Sequence, residues 1–263
     1  MITLTRIELL KLTTIRMGYV LLASAAGITV LFSVLEAVMS GGTGANKPAP
    51  VYTVTGFDQV AQGGIWTMIF AAVLGVTIAT AESRFHTATL TYLAVPARAK
   101  VLAAKVAVGA LAGAVFTLTG FVISFASAIG VVLSRGYRIS VSDLELARFG
   151  VGYLLAGALL GAVGVGVGAL IKSQLAAIIG VFVWALIVES VVGGLFHAVW
   201  PYLPYTAATT VAGIAIGGGA FGPAHGGSNG TALPFLAAAA LVAAIAAVFA
   251  AIASRTTLRA DIS

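Results

Sequence analysis

Six long, unbroken apolar stretches run through this chain, and they leave few folds open to it. A helix needs about 20 predominantly apolar residues to cross the hydrocarbon core of a bilayer. Stretches of that kind lie at residues 17–39, 60–81, 106–133, 149–171, 175–197 and 233–253. The second is strongly apolar only from Ile65 and reads as starting near Val60, through the polar, glycine-rich residues 58–64. Lipid offers backbone N–H and C=O groups no partners, so such spans are expected to be helices. A transmembrane barrel would instead show short alternating segments. Composition agrees: 60% of the residues are apolar and 8% charged, against about 25% charged in a soluble domain. These proportions exclude a soluble enzyme, a disordered tail and a basic nucleic-acid binder. The net charge of +6 fits anionic lipid head groups and cytoplasmic loops and needs no nucleic acid. With no cysteine, disulfides, thiolate catalysis and Cys-ligated metals are absent.

The spans organise the chain as one membrane domain over residues 1–263, with no soluble domain between them. Residues 206–220 are apolar but too short and glycine-rich to span, so a re-entrant or interfacial segment is expected within an outer loop at 198–232. Trp200, Pro201, Tyr202, Pro204 and Tyr205 supply interfacial aromatics there, and prolines that stop the fifth helix. With the N-terminus inside, ten of the fourteen Lys and Arg residues fall on the cytoplasmic side and four outside, which favours six crossings and two cytoplasmic termini. The first stretch is 23 residues long after a sixteen-residue lead-in. It exceeds the apolar core of about 7–15 residues in a cleavable signal, and so reads as a retained membrane helix. Gly109-x-x-x-Gly113, Gly157-x-x-x-Gly161 and Gly164-x-x-x-Gly168 allow close helix approach, within the chain or between subunits.

Enzymatic chemistry finds no place. Gly226-Gly227-Ser228 and His225 share a glycine-rich outer loop, His86 lies in a cytoplasmic loop and His197 at a helix end, so no intramembrane serine–histidine pair is expected. Glu82 and His86 stand one helical turn apart, but two weak ligands without a third read as loop residues rather than a metal site. None of the five lysines follows a glycine, which excludes a phosphate-cradling Gly-Lys-Ser/Thr loop. Two carboxylates fall in membrane segments. Glu36 is near the outer end of the first span and can reach head-group water. Glu189 is deeper, and an intramembrane acid costs about 2.5–3.5 kcal/mol to insert. A substrate-path role and a structural one stand equally open for it.

The most informative loop is residues 82–105. It leaves the second span with a charged turn, passes a threonine-rich patch, breaks at Pro96 and returns through Arg98, Lys100 and Lys105. Cations here satisfy the positive-inside rule, and the loop can also form a short surface helix at head-group level. Its order of Glu82, Arg84, Thr87-x-Thr89, Leu93-x-x-Pro96-x-Arg98 and Lys100 resembles the loop between helices two and three of type-2 ATP-binding-cassette (ABC) export permeases. Arg6-x-Glu8-x-x-Lys11 resembles that family's N-terminal elbow helix, here residues 1–16, and the Pro- and aromatic-rich stretch before the last span resembles its outer re-entrant hairpin.

The resemblance implies an all-α, six-span permease fold with an elbow helix, a cytoplasmic coupling helix and an outer re-entrant segment. It implies docking on a separate ATPase subunit through Glu82, Arg84, His86, Thr87, Thr89, Pro96 and Arg98. It also implies pairing with a second permease chain, identical or paralogous. No cofactor is expected in this chain; ATP and Mg would sit on the partner. The expected function is export of a hydrophobic or amphipathic substrate, such as a drug or lipid, across the cell membrane of a bacterium. An ATP-independent carrier or channel is the alternative, and a non-transporting anchor or sensor subunit a further one. Glu189 and Glu36 are the substrate-path candidates.

Overall fold

The apolar stretches fold as helices. A computed structural model of the chain describes residues 2–14, 16–39, 62–84, 97–134, 136, 142–171, 173–214 and 233–255. Every regular element among them is helical, and six helices are long and apolar enough to cross a membrane. An N-terminal helix, Ile2–Thr14, precedes the first span, Arg16–Met39. A 3₁₀ turn at Gln62–Ile65 leads into the second span, Trp66–Arg84. The third and fourth spans are Arg98–Ser134 and Asp143–Leu170. The fifth, Gln174–Leu195, is broken by a π turn at Trp184–Val188. A short helix, Pro204–Val211, comes before the sixth span, Phe235–Arg255.

Two helices start earlier than hydropathy alone suggests. The third span has 37 residues, about 55 Å at 1.5 Å per residue, against roughly 30 Å of hydrocarbon. Its opening turns carry Arg98, Lys100 and Lys105, cations that an apolar-run reading assigns to a loop. The fourth span starts at Asp143 because Ser142 caps it. The Ser142 hydroxyl accepts from the Glu145 N–H, and the Glu145 carboxylate accepts from the Ser142 N–H at 3.1 Å.

The second, third and fourth spans form the centre of the bundle. Their apolar windows are 78%, 50% and 61% buried, whereas those of the first, fifth and sixth are 17%, 11% and 17% buried and lie at the flanks. Glycine explains the tight centre. A Cβ on Gly113 would strike the Gly157 carbonyl, one on Gly161 the Gly109 carbonyl, and one on Gly164 the Ala72 carbonyl. The spaced glycines of the third and fourth spans thus meet within one chain, bringing backbones into contact where side chains would hold them apart. Around them, Phe70 meets Phe182 edge-on with ring centroids 6.0 Å apart, joining the second span to the fifth. Phe32 stacks on Trp66 and joins the first span to the second.

The short helix lies within the fold. Ala207, Ala208, Thr209 and Val211 are buried, packed in one apolar cluster with residues of the fourth and sixth spans. Its end is a Schellman turn: Gly213 has φ +80°, the Ile214 N–H donates to Thr209 O at 3.1 Å and the Gly213 N–H to Thr210 O at 3.0 Å. Residues 215–220 of the segment expected to be re-entrant lie outside the described residues.

Candidate functional site

Charged side chains gather at the end of the bundle that carries the N-terminal helix. Glu8 projects from that helix, Glu82 from the last turn of the second span, and Lys105 from the lower part of the third. All three are nearly inaccessible, at 6%, 5% and 5% exposure. Lys105 Nζ lies 3.1 Å from Glu8 Oε2 and 3.4 Å from Glu82 Oε1. It also donates to the Ile78 carbonyl at 3.2 Å. Lys11, one helical turn beyond Glu8, donates to Glu8 Oε1 and to Glu82 Oε1, both at 2.8 Å.

The result is a closed quartet of two carboxylates and two ammonium groups whose charges cancel. Burying ions is costly, and only close pairing with further hydrogen bonds offsets the desolvation. Both lysines bridge both carboxylates, which meets that requirement. Burial alone would lower the Lys11 pKa; the hydrogen bonds to Glu8 and Glu82, with their negative charges, outweigh it and hold the ammonium above its ordinary 10.5.

The quartet ties three pieces of chain together. Glu82 and Lys105 stand on either side of the loop expected to dock a partner, and Glu8 and Lys11 belong to the N-terminal helix. Of the residues expected to face a partner, Glu82 therefore points into the chain. Arg84 is exposed and donates from Nη1 to Gln174 Oε1 at 3.1 Å, linking the ends of the second and fifth spans. Arg98 is half-buried at the start of the third span, and Arg6 is exposed on the N-terminal helix. His86, Thr87, Thr89 and Pro96 lie outside the described residues, as does the side chain of Glu36.

Glu189 sits at the opposite end. It is 3% exposed, and its carboxylate accepts four hydrogen bonds. Oε1 accepts from the Tyr205 N–H at 2.7 Å and from Trp184 Nε1 at 3.0 Å. Oε2 accepts from the Thr206 N–H and the Thr206 hydroxyl, each at 2.9 Å. The backbone donors belong to the first turn of the short helix, where the capping position is Leu203 and no side chain caps locally. Glu189 supplies from another helix the oxygen that Ser or Asp would supply at that position.

The loop motif singles out Glu82, and an acid deep in an apolar span singles out Glu189. Lys105 read as a topological cation, and nothing local to it names its partners. Among the described residues, no group of three or more His, Cys, Asp or Glu side chains is placed to hold a metal. No family model matches the sequence, and no curated protein or solved structure matches it.

Proposed function

We propose that the chain is the membrane-spanning permease subunit of an ABC transporter, moving a hydrophobic or amphipathic substrate outward with energy from a separate ATPase. The observation that carries this reading is the charged quartet, in which Glu8, Glu82 and Lys105 are buried and Lys11 is part-exposed. It fastens both roots of the loop at residues 85–96 to the N-terminal helix through Glu82, Lys105, Glu8 and Lys11. A push on that loop reaches the second span, the third span and the N-terminal helix together, as a power-coupling loop requires. The motif resemblance of residues 82–100 and the six helices able to cross a membrane support the same reading. In it, both termini are cytoplasmic, two permease chains pair, and ATP and Mg belong to two ATPase subunits beneath them. Arg84, His86, Thr87, Thr89, Pro96 and Arg98 are the docking residues in this reading, and Glu82 braces them from behind.

The test is a photo-crosslinking amino acid placed at Thr89 in cells that hold the chain's native partners. The expected product is a crosslink to a protein with a Gly-Lys-Ser/Thr phosphate loop and no membrane spans. Its co-purification should be lost on replacing Arg84 and Arg98 together with Glu. A purified chain that moves its cargo in proteoliposomes without any ATPase would overturn the reading.

A further inference from the structure

The chemistry around Glu189 is one-sided. Its four partners are all donors, and no cation pairs with it among the described residues. The negative charge is held by those donors and by the positive end of the short helix. A carboxylate suits such a site because it only accepts; a protonated carboxyl brings a donor of its own and loses acceptor capacity. We propose that Glu189 is a proton-released latch, whose ionised form fastens the helix Pro204–Val211 to the fifth span and whose protonated form lets its first turn go.

The π turn is part of the device. Over Trp184–Val188 the backbone widens, and the Glu189 N–H donates to the Trp184 carbonyl five residues back. That spacing sets Trp184 beside Glu189, where the indole N–H returns a bond to the carboxylate. Single π turns of this kind occur often at functional positions. What the latch controls follows from the other contacts of the short helix. Tyr205 Oη donates to the Ile65 carbonyl at 3.1 Å, at the entrance of the second span, and the Val211–Ala212 backbone packs on Gly152 of the fourth. Through Glu189 the fifth span is thereby joined to the second and fourth.

Other titratable groups nearby do not substitute for it. The Tyr205 hydroxyl is committed to Ile65, Tyr202 is exposed, and His197 is an exposed residue beyond the end of the fifth helix. The fourth span's Asp143, Glu145 and Arg148 make no bond to Glu189, and the sixth carries no charge before Arg255. The inference does not depend on the transporter reading.

The test is amide hydrogen exchange of the full chain in nanodiscs, with rates corrected for the intrinsic effect of pH. As the pH is lowered from about 8.5 through the protonation of Glu189, followed separately by the carboxyl C=O infrared band that Glu189→Gln lacks, wild-type protection over residues 205–211 should fall by roughly tenfold or more, while residues 157–166 of the fourth span keep theirs. Glu189→Gln offers one acceptor oxygen and turns an NH₂ group toward donors, so it should show the loosened exchange at every pH. Wild-type protection that does not change as that band appears would overturn the latch, as would a carboxylate that stays ionised down to the pH at which the whole chain unfolds, or a Glu189→Gln helix as protected as the wild type at the alkaline end. If the variant does not fold, the wild-type titration decides alone.

Discussion

The Lys105 ammonium lies 3.1 Å from the Glu8 carboxylate across 97 positions of the chain. No apolar stripe fastens the N-terminal helix to the bundle: Ile7 and Leu10 remain exposed on it, while Leu9 and Leu12 make partial contact with the core. Charge supplies what the scattered apolar residues do not. Buried ion pairs stabilise a fold less well than good apolar packing does, but they specify position strictly because any misplacement leaves a charge unpaired. Here the position specified is that of the N-terminal helix against the two roots of one loop.

Removing Lys105 should therefore cost more than a lysine usually does. Lys105→Met leaves two buried carboxylates sharing only Lys11, and a loss of about 3–5 kcal/mol is expected, read as a lower unfolding temperature in detergent. Adding Glu82→Gln to Lys105→Met restores charge balance and should recover part of that loss. A double variant whose cost equals the sum of the two single ones would show that the four side chains do not act as a unit.

Lys11 gives the alkaline limb of the same network. Its folded pKa is raised above the ordinary 10.5, so the native state binds this proton more tightly than the unfolded chain does. Its contribution is whole below the ordinary pKa and is lost as pH rises through the folded value. Stability should thus be flat with respect to Lys11 from neutral pH to about 10 and fall above it. In Lys11→Met that part of the alkaline fall should disappear, with the loss already present at pH 7. Thermal unfolding followed across that range reads both effects.

Glycines separate into two groups with opposite expectations. Gly113 and Gly157 face each other's carbonyls at the contact of the third and fourth spans, whereas Gly130 and Gly180 have nothing within 4 Å of where a Cβ would stand. Gly157→Val forces two helices apart and should cost roughly 1–3 kcal/mol or more. Gly130→Ala and Gly180→Ala should be neutral or stabilise by up to about 1 kcal/mol, since alanine restricts the unfolded backbone. Equal effects at Gly157 and Gly180 would argue against the close approach.

The six helices were legible because a continuous apolar run of membrane length has few other uses. Their limits were less so. The turns from Arg98 to Lys105 are helical because they continue a helix already nucleated by the apolar run, and hydropathy does not record continuation. The glycine spacing left open whether the close contact lay within the chain or between chains; the facing carbonyls place it within. The Glu189 role was half visible. A helix that begins Leu203-Pro204 has no side chain able to cap it, so an acceptor from elsewhere is required, but a sequence does not say from where. The Lys105 pairing was not visible at all, because its partners stand 97 and 23 positions away and only the packed bundle brings them together.

Ser142-x-x-Glu145 is a capping signature that can be read directly, and it explains why the fourth helix starts ahead of its apolar run. Ser142 is exposed and Glu145 half-buried, and the value of the pair lies in satisfying N–H groups rather than in burial. Ser142→Ala should cost about 1 kcal/mol, and Ser142→Asp should retain most of the stability because aspartate accepts the same backbone bond. The helix would fray at its first turn, leaving the glycine contacts at Gly157 and Gly161 intact. Hydrogen exchange should report this as faster exchange confined to residues 143–147, with protection unchanged from Tyr153 onward; loss of protection along the whole helix would mean that the cap nucleates the span rather than trimming its end.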